Sequence, residues 1–135
     1  MGGARAFSWA ARLRSFAYAA RGLGIVLGSQ HNAWIHLVAT LLVIGAGLGL
    51  GVARGEWLAL VLAMTLVWSA EAFNTAVELL ADASTPEFHP LIEKAKDVAA
   101  GAVLICALGA LVVAALVFVP YLAPHLPQGT ITHRS

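Results

Sequence analysis

The chain is poor in the residues that mark a soluble or secreted domain. Of its 135 residues only 11% are charged, one is cysteine and five are proline, while 60% are hydrophobic. With a single cysteine, Cys106, an internal disulfide framework is excluded, and its place in an apolar run reads as a small packing residue. The formal net charge is +1, and no basic run is dense enough for a nucleic-acid patch. A mean hydropathy of +0.83 is wrong for a soluble domain of this size and right for a small integral membrane protein. There is no internal repeat and no sign of a second domain. No short apolar segment with a small-residue cleavage site precedes the first long apolar run, and position 6 lacks the Ser or Thr of a myristoylation pattern, so the spans themselves are expected to direct the chain to the membrane.

What is present divides into four helices. Residues 8–30 interleave Trp9, Leu13, Phe16, Tyr18, Leu23 and Val26 with Arg12, Arg14 and Arg21, the pattern of an amphipathic helix lying at the membrane surface with arginines near lipid phosphates. Residues 34–53 form twenty residues in which only His36 and Thr40 are polar, long enough for a first span. His36 is read as a hydrogen-bonded structural histidine, the usual state of a lone His on an apolar face. Gly45, Gly47, Gly49 and Gly51 match neither phosphate-loop pattern and read as small residues for helix packing. Arg54-Gly55-Glu56 reads as a tight turn, residues 57–82 as a second span, residues 83–97 as a loop with a polar helix start, and residues 98–122 as a third span with Gly101 and Gly109 for packing. Residues 123–135 form a polar tail. Six Lys and Arg lie in the N-terminal segment and the 83–97 loop, against Arg54 and Arg134 elsewhere, which places the N-terminus and that loop in the cytoplasm and the C-terminus outside it.

The second span carries the chemistry. At 100° per residue Glu71, Asn74, Glu78 and Asp82 fall within an arc of about 80° on one helix face. For a helix starting at Trp57, Glu71 lies about 21 Å along and Glu78 about 31 Å, against a hydrocarbon core of about 30 Å. An acid at Glu71's depth costs roughly 2.5–3.5 kcal/mol on insertion scales and normally faces a bundle interior or a water-filled site. Near the cytoplasmic face Glu78 and Asp82 meet His89, Lys96 and Asp97. Carboxylates suit Mg²⁺, lysine suits phosphate, and phosphoryl transfer needs little more than these and a proton acceptor. Glu71, deeper on the same stripe, is placed to be that acceptor for a hydroxyl arriving from the lipid.

The stretches Glu71-Ala-Phe-Asn74-Thr75-Ala-Val-Glu78, Asp82, Glu87-Phe-His89 and Ala95-Lys96-Asp97-Val-Ala-Ala-Gly101 resemble the signature of the small bacterial diacylglycerol kinase family, which includes undecaprenol kinases. The resemblance runs from Arg14 to the third span. It implies an all-α membrane protein of one surface helix and three spans in the bacterial inner membrane, assembled as a homotrimer with active sites shared between subunits. It implies ATP as co-substrate, Mg²⁺ as cofactor, and a membrane lipid alcohol, diacylglycerol or undecaprenol, as acceptor. On the residues matched, Glu71 would be the general base and Glu78 a ligand of the metal bound with ATP. Tyr18, Glu78, Glu87, His89, Lys96 and Asp97 would bind the nucleotide, with Asn74 and Asp82 as polar groups of the active site. Where many members carry a glutamate as second metal ligand this chain has Gln30, which offers a carbonyl oxygen and no charge. Two other classes fit part of the pattern. An ion-coupled transporter subunit would use Glu71 as its carrier site but leaves Lys96 and Asp97 without a role; an inactive family member acting as a membrane scaffold would follow from a metal site weakened at Gln30.

Overall fold

A computed structural model describes residues 8–29, 31–84, 87 and 89–123, and among them the secondary structure is helices joined by short turns, with no strand. Helix α1 spans Trp9–Ser29, α2 His31–Leu50, α3 Arg54–Ser84 and α4 Pro90–Leu122. Three of them, α2, α3 and α4, are long and apolar enough to cross a membrane. At about 1.5 Å per residue α2 matches a hydrocarbon core of about 30 Å, whereas α3 and α4 outrun it by more than 10 Å. The polar ends of the two long helices therefore stand outside the apolar layer. Side chains are distributed accordingly: Leu41, Leu48, Leu58, Leu66, Ile105 and Leu116 are exposed, while Glu71, Asn74 and Thr75 are buried. In a bilayer the exposed apolar surface meets lipid, and the polar groups turn inward.

The turn between α2 and α3 shows how local sequence sets the frame. Gly51 adopts φ +66°, the left-handed conformation that glycine takes without a Cβ penalty. The N–H of Val52 then donates to the carbonyl of Gly47 at 3.2 Å, which closes α2 with a Schellman arrangement. Two residues later α3 has begun. Arg54, Gly55 and Glu56, expected as a separate turn, instead form its first turn, because Glu56 caps it: Glu56 Oε2 accepts the Ala53 N–H at 2.6 Å. The same oxygen accepts Tyr121 O–H at 2.6 Å, tying the turn to the far end of α4. Beneath it Val52, Leu60 and Val117 form a buried cluster with Trp57, Val113 and Phe118 packed around it. The polar residues His31 and Asn32 likewise lie inside α2, not ahead of it.

At its other end α4 starts on His89, which is extended and whose Nδ1 accepts the Leu91 N–H at 3.3 Å, followed by Pro90 in the first turn. Of the glycines expected to pack helices, Gly47 alone among Gly45, Gly47, Gly49, Gly101 and Gly109 has a neighbour close to the position of an added Cβ. That Cβ would sit 2.8 Å from Cη2 and Cζ2 of Trp57. The other four face open space in the single chain and make no close helix contact within it. Gly47→Ala is therefore expected to destabilise the protein by about 1–3 kcal/mol despite alanine's better helix propensity. An earlier thermal transition in detergent micelles reads this out, and the loss should shrink in a Trp57→Leu background, which removes the ring.

Candidate functional site

Helix α3 presents Glu71, Asn74 and Glu78 toward a cavity of about 250 Å³ whose wall is completed by Asn32 and His36 of α2 and by Ala100 and Ala107 of α4. The two alanines matter because a larger side chain at either place would take up this space. Glu71 is 0% exposed, Asn74 4% and Thr75 1%. Thr75 Oγ1 donates to the Glu71 carbonyl at 2.9 Å, satisfying its hydroxyl within the helix. Asn74 Nδ2 donates to Glu78 Oε1 at 2.9 Å, a side-chain bond one turn apart that links the buried part of the stripe to its outer end.

Three buried acceptors at this cavity make no hydrogen bond among the described residues: Glu71 Oε1, Glu71 Oε2 and Asn74 Oδ1. A buried acceptor left unsatisfied costs about 1–3 kcal/mol, and more when charged. The imidazole of His36 stands beside them, its Nε2 3.7 Å from Glu71 Oε2. The site is thus rich in acceptors and calls for donors, which a hydroxyl or a hydrated cation supplies. Its oxygen donors, a carboxylate and a carboxamide, suit a hard cation such as Mg²⁺. Among the described residues no group of three or more His, Cys, Asp or Glu could hold an ion alone. Mg²⁺ commonly takes only one or two carboxylates and completes its shell with substrate phosphates and water, so Glu78 beside the free Asn74 Oδ1 is compatible with it.

The remaining residues singled out from sequence do not line this cavity. Tyr18 is exposed on α1 with the Arg21 guanidinium 4.9 Å from its ring centroid. Asp82, expected on the inward stripe, is exposed and accepts from Lys96 Nζ at 3.2 Å. By then α3 has passed the end of the apolar layer, and the polar start of α4 lies alongside. Glu87 sits in an exposed bend, Asp97 is exposed on α4, and His89 caps α4. Gln30 lies outside the described residues. His36, read from sequence as structural, lines the cavity and faces Glu71. Its contacts with Glu71 and the Trp68 ring were not anticipated; the four-residue spacing of His36 and Thr40, the only two polar residues in the first span, was the available signal.

With this geometry in view, two comparisons decide the family. A family model described as prokaryotic diacylglycerol kinase matches residues 17–118. The chain belongs to the prokaryotic diacylglycerol kinase family. It is 34% identical over 109 residues to the undecaprenol kinase of Bacillus subtilis, covering 81% of this chain and 89% of that protein. It is also 36% identical over 109 residues to a diacylglycerol kinase of Synechocystis, covering 80% of this chain and 62% of that protein. The matched segment begins within α1 and ends in the last turns of α4, so it includes the whole cavity. The protein is by family a lipid kinase, and membership implies ATP as phosphate donor.

The exposed Lys96–Asp82 pair, with side chains 41% and 71% exposed, contributes little to stability. Asp82→Asn is expected to change the unfolding free energy by less than about 0.5 kcal/mol. Thermal unfolding of the two proteins side by side checks this, and a loss of activity in the variant would then report on the site and not on the fold.

Proposed function

We propose that this protein transfers the γ-phosphoryl group of ATP to the hydroxyl of a membrane lipid alcohol, converting diacylglycerol to phosphatidic acid or undecaprenol to undecaprenyl phosphate. The observation that carries this reading is the buried Glu71 carboxylate with both oxygens unpartnered on a cavity inside the membrane-spanning helices. Glu71 acts as general base: the lipid oxygen bonds to the γ-phosphorus, its proton passes to Glu71, and the bond from that phosphorus to the oxygen of ADP breaks. The base sits where a lipid hydroxyl can reach it sideways, while ATP comes from the aqueous end of α3.

Glu78 would hold Mg²⁺ brought with ATP, with Asn74 oriented on Glu78 by their hydrogen bond. Bound there, Mg²⁺ supplies neutralisation of phosphate charge. Tyr18, Glu87, His89, Lys96 and Asp97 bind the nucleotide, and Asp82 holds Lys96 near the membrane surface. Gln30, as a carbonyl ligand without charge, would leave Glu78 with the larger share of the metal. The whole chain, residues 1–135, works as one lipid-kinase domain in the bacterial inner membrane. Residues 8–30 lie at the surface, the N-terminus and residues 83–97 face the cytoplasm, and the C-terminus lies outside it. The working form is a homotrimer with sites shared between subunits. What supports this is that the described nucleotide residues, such as Tyr18, do not line the Glu71 cavity within one chain.

Two substitutions test the assignment. Glu71→Gln is expected to abolish lipid phosphorylation in mixed micelles while ATP binding persists, because it removes the base and leaves the nucleotide groups intact. Near-normal turnover of Glu71→Gln would remove Glu71 from the role. Glu78→Gln should raise the Mg²⁺ concentration needed for half-maximal rate or eliminate activity, and an unchanged Mg²⁺ titration would exclude Glu78 as a metal ligand.

A further inference from the structure

Among the described histidines His36 is the one inside the bundle, and the proposed chemistry leaves it without a task. Its surroundings are unusually specific. Helices α2 and α3 run antiparallel on either side of the three-residue turn, and two polar pairs face each other across them in matching order. His36 Nε2 faces Glu71 Oε2 at 3.7 Å, and one turn further from the cavity Trp68 Nε1 donates to Thr40 Oγ1 at 3.0 Å. His36 and Thr40 are four residues apart on α2, and Trp68 and Glu71 three apart on α3, so each pair shares a helix face. The Trp68 ring also meets the His36 ring edge-on, with centroids 6.5 Å apart and planes at 68°. The indole is fixed by Thr40, the imidazole by the indole, and the imidazole is turned on one oxygen of an otherwise unpartnered carboxylate.

We propose that His36 is a positioning residue for Glu71, its Nε2 holding Oε2 so that Oε1 is presented to the substrate hydroxyl, with Trp68 and Thr40 fixing the imidazole. This rests on Glu71 acting as the base. A carboxylate on a flexible side chain, without hydrogen bonds of its own, rotates among orientations, and only some of them place an oxygen on the incoming proton. One N–H facing one oxygen selects among them. The separation of 3.7 Å is an ion-pair distance and not a hydrogen bond, and catalytic contacts of this kind tighten when substrate closes the site. A small movement of either helix face, or a new χ angle at Glu71, closes it.

The test compares His36→Leu, His36→Gln and Glu71→Gln in mixed micelles, with kcat and KM measured separately for ATP and for diacylglycerol. His36→Leu should lower kcat by about ten-fold or more with both KM values nearly unchanged, and His36→Gln, which keeps an N–H donor, should recover most of it. Rescue by glutamine and a loss confined to kcat are not expected of a residue that merely fills space. If Glu71→Gln abolishes turnover while His36→Leu stays near wild type, or changes only a KM, the positioning role is overturned and the base stands. Should Glu71→Gln itself remain active, the base assignment fails and this role fails with it. A second measurement reads the contact by comparing two proteins that both keep His36. In ¹⁵N-histidine NMR of the micellar protein, the His36 Nε2 resonance, assigned by its absence from His36→Gln, should move in Glu71→Gln, and an unmoved resonance would contradict the contact.

Discussion

The structure depends on a carboxylate buried where no described residue hydrogen-bonds it. Glu71 is fully enclosed, and neither of its oxygens has a hydrogen-bond donor among the described residues. Such a group is expensive in any fold and more so in one whose outer surface is lipid. The neighbouring residues limit this cost without removing it. Thr75 satisfies itself on the Glu71 carbonyl, Asn74 turns its amide to Glu78, and His36 brings Nε2 to 3.7 Å from the carboxylate. The small alanines of α4 leave space in place of a packed core, which keeps the acceptors available to something that enters from outside.

The rest of the molecule separates a fixed end from an open one. At the fixed end Glu56 joins the start of α3 to the last turn of α4 through the Ala53 N–H and the Tyr121 hydroxyl, above the cluster of Val52, Leu60 and Val117. Gly47 lets Trp57 lie against α2 there. From that anchor α3 and α4 run side by side past the membrane thickness, and their polar ends carry Asp82, Lys96 and Asp97. In the proposed reaction this division puts the lipid-facing chemistry at mid-helix and the nucleotide at the protruding ends. The residues matched to the family, 17–118, contain both the cavity and these polar ends.

Much of this was legible in the sequence. The inward turn of Glu71, Asn74 and Glu78 followed from helical periodicity within an apolar run, and the three spans from their length. The boundaries were not, because capping decides them: Glu56 looked like turn composition but serves as a cap, which drew Arg54 and Gly55 into α3. Asp82 has the right angle on the helix wheel, yet angle alone carries no information on where the helix leaves its neighbours, and there Lys96 claims it. The glycines were read as packing residues as a group, but only the one opposite a tryptophan packs within the chain. His36 was hidden for a related reason. Its partners Glu71 and Trp68 are more than thirty positions away, and their register is set by a turn whose form depends on Gly51.

The central claim, that this protein phosphorylates a membrane lipid alcohol, is tested most directly by one assay. The purified protein would be given ATP labelled at the γ-phosphate, Mg²⁺, and diacylglycerol or undecaprenol separately in mixed micelles, and label in the lipid fraction would be counted. The account predicts label in at least one lipid, dependent on Mg²⁺, and the better acceptor names the substrate. No label in either lipid, from folded protein with Mg²⁺ in excess, would contradict it.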